Sequence, residues 1–274
     1  MTYISAQKHK HKHNQSIMFE ARFTNATLLK RILDAVKDLV SEANLLVTED
    51  GIELQAMDSA HVALINFTIL AEACSLYTCD QQTVLGVNLT NFSKIMKCAE
   101  ATDSVILTHE PDAAQLLITF ESTAGSKRQE FGMNLMDIES DHLEIPDTEY
   151  ACSVKLPSAE FSKLIHNLSN FGDQTTLSVE PEVFTMSVTG DTGTAIMTVK
   201  HDLSSKQPLL RTEINCGKPT KLDFALKYLA AFTKASALSD QVQIAMSADV
   251  PVYICYDMEH KGSVGFYLAP KLHE

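Results

Sequence analysis

Residues 20–32 read EARFTNATLLKRI, and the stretch SVKLPSAEFSKLI repeats their pattern of charged, apolar and small residues 133 positions later, at residues 153–165. A second match, 137 positions apart, aligns residues 89–107 with residues 226–244. Because self-similarity over so long a period reflects duplicated structural units, the sequence predicts two similar domains, at residues 18–134 and 152–274. The acidic stretch between them, residues 135–151, is predicted to be an interdomain linker.

Each quarter of the two-domain region contains one predicted amphipathic helix. Apolar residues recur at helical spacing over residues 28–40, 89–96, 161–168 and 226–232. In the first of these, one apolar face is formed by Leu28, Leu29, Ile32, Leu33, Val36, Leu39 and Val40. The sequence therefore predicts four helices of one common design.

Between the helices, apolar and polar residues alternate with the period of a half-buried strand. An alternating strand opens each half, and further such segments cover residues 51–55, 62–70, 104–109, 115–121, 177–179, 194–201, 207–215, 242–247 and 252–258. Short turns separate neighbours, for example Pro111-Asp112 and residues 190–193. The predicted class is α+β, with antiparallel sheets and with the helices on one face.

The composition is that of an acidic chain that folds. Of the 274 residues, 45% are apolar and 21% are charged, with 22 Lys and Arg against 35 Asp and Glu. These proportions exclude wholesale disorder and a fibrous protein. The first 17 residues, MTYISAQKHKHKHNQSI, contain three of the lysines and no acid, which is typical of an expression tag. Without them 19 cations remain, a net charge of −16, and such a chain repels nucleic acid unless its positive charges are gathered in one place.

Six cysteines lie far apart, without a C-x-x-C pair or a zinc-finger histidine, so we expect reduced thiols in an intracellular compartment and no metal site. The longest apolar runs, such as residues 63–70, are much shorter than the roughly 20 residues of a membrane-spanning helix. The sequence thus predicts neither a metal cofactor nor a membrane anchor.

A search for catalytic motifs finds two weak candidates. Residues 191–194 read DTGT, the letters of an aspartic-protease half-site, but the other half of the chain has no second copy to share the proton. Asp58, Ser59 and His61 could be imagined as a triad, yet nothing in the sequence supplies an oxyanion hole. We expect no enzyme, and keep a hydrolase based on Asp191 as one alternative and an acidic protein-interaction scaffold that does not encircle DNA as another.

Cations are concentrated on the outward faces of the four predicted helices. Eight of the 19 outside the leading segment lie there, which favours contact with phosphate backbones on this one layer. They are Lys30, Arg31, Lys37, Lys94, Lys97, Lys163, Lys227 and Lys234.

Six short motifs resemble the eukaryotic sliding-clamp family, proliferating cell nuclear antigen, and the similarity covers residues 18–274. The motifs are MFEAR (18–22), LQAMDSAHV (54–62), LGVNL (85–89), LMD (135–137), SADVP (247–251) and YLAPK (267–271). The resemblance implies a DNA-clamp fold: a homotrimeric ring with sheets outside and helices lining a central channel for duplex DNA. It also implies a nuclear processivity factor for replication and repair without cofactors. Its partners would be DNA polymerase, flap endonuclease, DNA ligase and the clamp loader.

The resemblance also suggests site residues beyond the eight helix cations. Arg22, Lys127 and His166 would join the DNA-contacting set, although relatives usually have a basic residue in place of His166. The pocket for a short partner motif would be formed by Met57, His61, Val62, Leu64, Leu143, Ile145, Pro146, Tyr150, Pro251, Tyr267, Ala269 and Pro270. The subunit contact would join strand 127–134 to strand 192–200 of a neighbour, through Cys98, Phe131, Leu168, Ala195 and Met197.

Overall fold

A computed structural model describes residues 17–139 and 148–271, and in them antiparallel strands greatly outnumber helices. Residues 1–16, most of the predicted tag, and residues 140–147 of the predicted linker lie outside the described residues. The first half contains β1 (Phe19–Phe23), α1 (Thr27–Val36), β2 (Glu42–Val47), β3 (Gly51–Met57), β4 (Ala63–Leu70), β5 (Leu76–Cys79), β6 (Thr83–Asn88), α2 (Leu89–Met96), β7 (Ser104–His109), β8 (Gln115–Glu121) and β9 (Arg128–Asn134).

The second half repeats this content. It contains β10 (Cys152–Pro157), α3 (Ser158–Leu168), β11 (Gln174–Glu180), β12 (Val183–Gly190), β13 (Gly193–Lys200), β14 (Glu213–Cys216), β15 (Thr220–Ala225), α4 (Leu226–Phe232), β16 (Gln241–Met246), β17 (Val252–Asp257) and β18 (Gly262–Leu268). Each half thus has two α-helices among its described residues. One helix follows the first strand of the half, and the other follows its sixth strand, as the duplicated sequence pattern predicts.

The strands form three antiparallel sheets. Their strand orders are β5-β1-β7-β8-β9, β14-β10-β16-β17-β18-β4-β3-β2-β6 and β13-β12-β11-β15. The long sheet crosses from one half to the other where β18 pairs with β4, from Gly262 opposite Ile69 to Leu268 opposite Ala63. The predicted α+β class, with antiparallel sheets and few helices, is confirmed.

The helices form where apolar residues recur at helical spacing, and α2 also has a side-chain cap at its start. The Asn88 side chain accepts a hydrogen bond from the Asn91 N–H at 2.9 Å and caps α2, because it satisfies one of the amide groups left unpaired at a helix start. Helix α1 ends at Val36, earlier than predicted, and a turn carries the apolar face on to the buried Val40. Helix α1 packs on α2 and α4, and α3 also packs on α4, so the helices share one layer.

The strand predictions fail mainly at residues 207–215. Pro208–Leu210 form a 3₁₀ turn, and β14 starts only at Glu213. Because proline has no N–H to donate to a ladder, the segment leaves the sheet, and Leu209 and Leu210 are exposed. The alternation did not indicate seven strands, and of these only β9 was expected from the family resemblance: β2, β5, β6, β9, β12, β15 and β18.

A buried carboxylate ties the two halves together. Asp58, which is 6% exposed, accepts hydrogen bonds from the N–H groups of Ala60, Val62 and Ala63 and from the Tyr228 hydroxyl on α4, the last at 2.7 Å. Burial alone would raise the pKa of Asp58, but these hydrogen bonds outweigh it and hold the pKa below its usual value. The carboxylate therefore anchors the loop after β3 to the second half.

Candidate DNA-binding face, partner pocket and subunit edges

Four predicted cations project freely from the helix layer. Arg31, Lys94, Lys97 and Lys163 are exposed, and within residues 17–139 and 148–271 none of these side chains forms a hydrogen bond or an ion pair. Arg31 lies on α1, Lys94 on α2, Lys97 directly after α2 and Lys163 on α3, so both halves contribute. Exposed cations on one layer suit contact with a regular array of phosphates.

Four other predicted cations differ because each already has a partner in the chain. Lys30 is half-buried and its ammonium group donates to the carbonyl oxygen of Ala99, so it does not point outward as predicted. Lys37 pairs with Asp34, and Lys234 pairs with Asp38 across the two halves. The Lys227 ammonium lies 4.8 Å from the Tyr228 ring centroid. These contacts orient the four cations, and the two carboxylates also offset the charges of Lys37 and Lys234.

Asp38 is an acid on this face that interacts with three cations. The hydrogen bond from Lys234 lowers the pKa of Asp38, the partial burial of the carboxyl opposes that shift, and the charges of Lys234, Lys37 and Lys97 lower the pKa further. Three cations thus surround one carboxylate, and the patch keeps a positive excess.

Arg22 lies on the wrong face for the predicted DNA contact. Phe19, Ala21 and Phe23 are buried, so strand alternation turns Arg22 away from the helices, where it lies 3.7 Å from Glu121. Lys127 is exposed in the turn from β8 to β9. His166 is exposed on α3, three residues after Lys163, which keeps it on the helix face.

The predicted partner pocket is built on a row of tyrosines. The rings of Tyr253 and Tyr267 stack with centroids 4.5 Å apart, and Tyr150 stacks on Tyr253 at 6.4 Å. The Tyr150 hydroxyl donates to the carbonyl oxygen of Pro251 at 3.3 Å. Burial, together with the charge of Tyr267, raises the pKa of Tyr150 to about 12, so the phenol stays protonated as a donor. Tyr253 was not predicted, although alternation along β17 could have placed it on this face.

Apolar residues of the first half border these rings. Leu64 is the cross-strand partner of Tyr267, and the Ala269 N–H donates to the Val62 carbonyl oxygen at 3.1 Å. Residues that remain partly or fully exposed here are Met57, His61, Val62, Leu64, Pro251, Tyr267, Ala269 and Pro270. The predicted pocket residues Leu143, Ile145 and Pro146 lie outside the described residues.

The first residues of the predicted linker are bound to the sheet rather than free. The Met136 N–H donates to the Gly86 carbonyl oxygen at 2.8 Å, and the Asn44 side chain donates to the Ile138 carbonyl oxygen at 2.9 Å. A Cβ atom at Gly86 would lie 2.0 Å from the Met136 carbonyl oxygen, so only glycine permits this approach. The linker therefore starts from a fixed position beside β6.

Six strands end the three sheets in the described part of the chain, and the two predicted contact strands, β9 and β13, are among them. Strand β9 pairs only with β8, and β13 pairs only with β12. The half-buried Phe131 of β9 packs on Phe120 with centroids 5.3 Å apart, on the core-facing side. Met197 and Ala195 lie on the core-facing side of β13, opposite the buried Met186 and Val188. Joining the two edges would therefore make one continuous apolar layer.

Two other predicted interface residues, Leu168 and Cys98, differ from Phe131 in their exposure. Leu168 is 0% exposed, so it can support a contact only from beneath and cannot touch a neighbour directly. Cys98 is exposed just after α2, and its thiol donates to the Lys94 carbonyl oxygen. Ile196, which is 64% exposed on β13, was not among the predicted contact residues. An isoleucine flanked on the same strand face by Thr194 and Thr198 was the available signal.

The two aspartates considered for catalysis, Asp191 and Asp58, occupy ordinary structural positions. Asp191 is exposed in the turn between β12 and β13, and Asp58 is occupied by the hydrogen bonds described above. In residues 17–139 and 148–271, no three His, Cys, Asp or Glu side chains are grouped so as to hold a metal ion. Over the same ranges, no helix is long and apolar enough to cross a membrane.

Two family models match consecutive parts of the chain, which together cover residues 18–271. Residues 18–143 match the model for the N-terminal domain of proliferating cell nuclear antigen, and residues 144–271 match the model for its C-terminal domain. The two matches meet within the predicted linker. The chain therefore belongs to the proliferating cell nuclear antigen family of sliding clamps.

Proposed function

We propose that three copies of the chain associate head to tail into a closed ring that encircles duplex DNA. The observation that carries this proposal is that two of the edge strands, β9 and β13, belong to different sheets and present apolar residues on the same core-facing side. A contact between two different edges is heterologous, and heterologous contacts form a closed ring when the rotation between subunits closes. Burying them also removes edges that otherwise promote aggregation.

The helix layer would line the channel. Its exposed cations, Arg31, Lys94, Lys97 and Lys163, support sequence-independent contact with phosphates, while the acidic remainder of the chain repels DNA elsewhere. A ring with such a channel slides along the duplex and does not dissociate sideways. We infer that it acts as a processivity factor for a replicative DNA polymerase in the nucleus, and that it is a scaffold rather than an enzyme.

The tyrosine row would receive partner proteins, among them the polymerase, flap endonuclease, DNA ligase and the clamp loader. Stacked Tyr253 and Tyr267 beside Leu64 offer partly exposed apolar surface next to the linker. Such a surface suits a short helix with aromatic side chains. We propose a partner motif with a glutamine, an aliphatic residue three positions on and two adjacent aromatics.

Tyr267→Ala is expected to weaken binding of a peptide with this motif by at least about tenfold, because a central aromatic typically contributes 2 kcal/mol or more. Isothermal titration calorimetry measures the loss. Leu117→Ala, which removes a 38% exposed leucine on β8, is the matched control and should leave affinity unchanged. Equal affinity of the Tyr267 variant and the parent would place the pocket elsewhere.

Mass in solution separates the ring from an acidic scaffold that does not encircle DNA. Multi-angle light scattering should give three times the 30.2 kDa of the chain, constant on dilution through the micromolar range. A single-chain mass at every concentration would favour the scaffold, since one chain cannot close around a duplex.

A further inference from the structure

Two of the six cysteines are direct neighbours in the fold although they are 64 positions apart. Cys152 on β10 and Cys216 on β14 are cross-strand partners, and their sulfur atoms lie 3.4 Å apart. The Gly217 N–H donates to the Ala151 carbonyl oxygen at 2.8 Å, so the ladder hydrogen bond flanks the cysteine pair and does not join it.

This position in the ladder suits a covalent bridge. In antiparallel sheets, non-hydrogen-bonded partners have Cα atoms about 4.5 Å apart. Disulfides bridge Cα separations of about 4.4 to 6.8 Å. Cys152 and Cys216 can therefore be joined by small side-chain rotations, without movement of the strands.

The two thiols differ in their access to solvent. Cys152 is 1% exposed, whereas Cys216 is half-buried on β14, the first strand of the nine-stranded sheet. A small oxidant can thus reach Cys216 first. Cys152, which is buried beside it, stays reduced and can act as the second, resolving thiol. This is the arrangement in which a thiol oxidised first is captured by its neighbour.

We propose that Cys152 and Cys216 form a reversible disulfide when the protein meets hydrogen peroxide. The Cys216 thiolate attacks one peroxide oxygen, the O–O bond breaks, and the released hydroxide takes up the thiol proton as water. Cys152 sulfur then attacks the resulting sulfenic sulfur, the S–S bond forms, the S–O bond breaks, and a second water leaves with the Cys152 proton. Two thiols and one peroxide give one disulfide and two waters.

The surroundings make this reaction slow. Burial raises the pKa of the Cys216 thiol to about 11, and the hydrogen bond to Cys152 with the charges of Cys152 and Glu180 acts in the same direction. Because the thiolate is the reacting form, most of the thiol is inactive at neutral pH. The pair would respond to sustained oxidation rather than to a brief pulse.

The bridge would act on the end of the linker. Cys152 opens β10 directly after Ala151, whose N–H donates to the Ser247 hydroxyl at 2.7 Å. The Cys152 thiol also donates to the Lys218 carbonyl oxygen at 2.9 Å, and oxidation removes that donor. We expect the turn 217–219 to change its hydrogen bonding, while the linker end, already hydrogen-bonded beside β14, becomes covalently linked to that strand.

Mass spectrometry tests the proposal. The full chain is incubated with hydrogen peroxide for hours, remaining thiols are blocked with iodoacetamide, and the protein is digested without reduction. The expected result is a peptide pair linked through Cys152 and Cys216, with two fewer alkylated thiols per chain, both reversed by dithiothreitol. Cys216→Ser should abolish the linked pair, whereas Cys98→Ser, at an exposed cysteine elsewhere, should leave it intact.

The proposal is overturned if Cys152 and Cys216 remain alkylatable while Cys98 is oxidised, or if either is linked to a different cysteine. The parent protein alone decides between these outcomes, so the test stands even if a variant fails to fold. The mass of the assembled protein, measured separately, keeps this result independent of the proposed ring.

Discussion

Changing Lys94 and Lys97 together to glutamate is expected to lower loading of the protein onto circular DNA, or its sliding there, without unfolding it. Both side chains are exposed and have no hydrogen bond or ion pair in the described residues, and Lys97 acts on Asp38 only through its charge, so their replacement breaks no direct contact of the fold. The double change lowers the charge of the proposed channel by four units in each chain. Each phosphate contact contributes about 0.9 to the slope of log affinity against log salt, so that slope should fall as well.

A matched control is available on the outer faces of the sheets. Lys155 on β10 and Lys221 on β15 are exposed, and their strand neighbours Val154, Leu156 and Phe224 are buried on the opposite side. Their double glutamate variant has the same change in net charge, and we expect loading close to that of the parent. Equal loading of the Lys94 and Lys97 variant and this control would refute the assignment of the channel.

Phe131→Ala is expected to convert the assembled ring to single chains at sub-micromolar concentration. Loss of a large buried aromatic typically costs about 3 to 5 kcal/mol. Phe131 is half-buried within its own chain, so only part of that cost falls on the contact, yet a closed ring contains three such contacts. Sedimentation velocity measures the shift, and circular dichroism checks that the chain stays folded.

Leu76→Ala provides the comparison for this prediction. Leu76 is 45% exposed on β5, which is the opposite edge strand of the same sheet. The substitution therefore removes an apolar side chain that lies away from the proposed contact. We expect that variant to sediment like the parent. A Phe131→Ala protein that remains fully assembled at sub-micromolar concentration would contradict the contact between β9 and β13.

The duplicated fold could be predicted from the sequence because its helices keep a visible apolar period. Strand β6 was missed for a physical reason: Leu85, Gly86 and Val87 are buried in succession, so the strand shows no alternation. The cause is the linker, since Met136 lies directly against Gly86 and covers the second face. A contact between residues fifty positions apart leaves no periodic pattern in the sequence around either residue.

The candidate site was partly predictable for similar reasons. Helical spacing places Lys94 and Lys163 on the exposed face, and the structure agrees. The ion pair of Lys234 with Asp38 joins residues 196 positions apart, and no local pattern indicates it. By contrast, the orientation of Arg22 was predictable, because the buried Phe23 beside it fixes the alternation of β1.

Retention on closed compared with linear DNA tests encirclement most directly. The protein is loaded onto a nicked circular plasmid with an ATP-driven clamp loader, freed of unbound protein by gel filtration, and the plasmid is then cut once with a restriction enzyme. We expect the protein to stay on the circle through a high-salt wash and to leave within minutes of the cut, because a sliding ring escapes only over an end. Equal rates of loss from the circle and from the linear molecule would contradict a ring that encircles DNA.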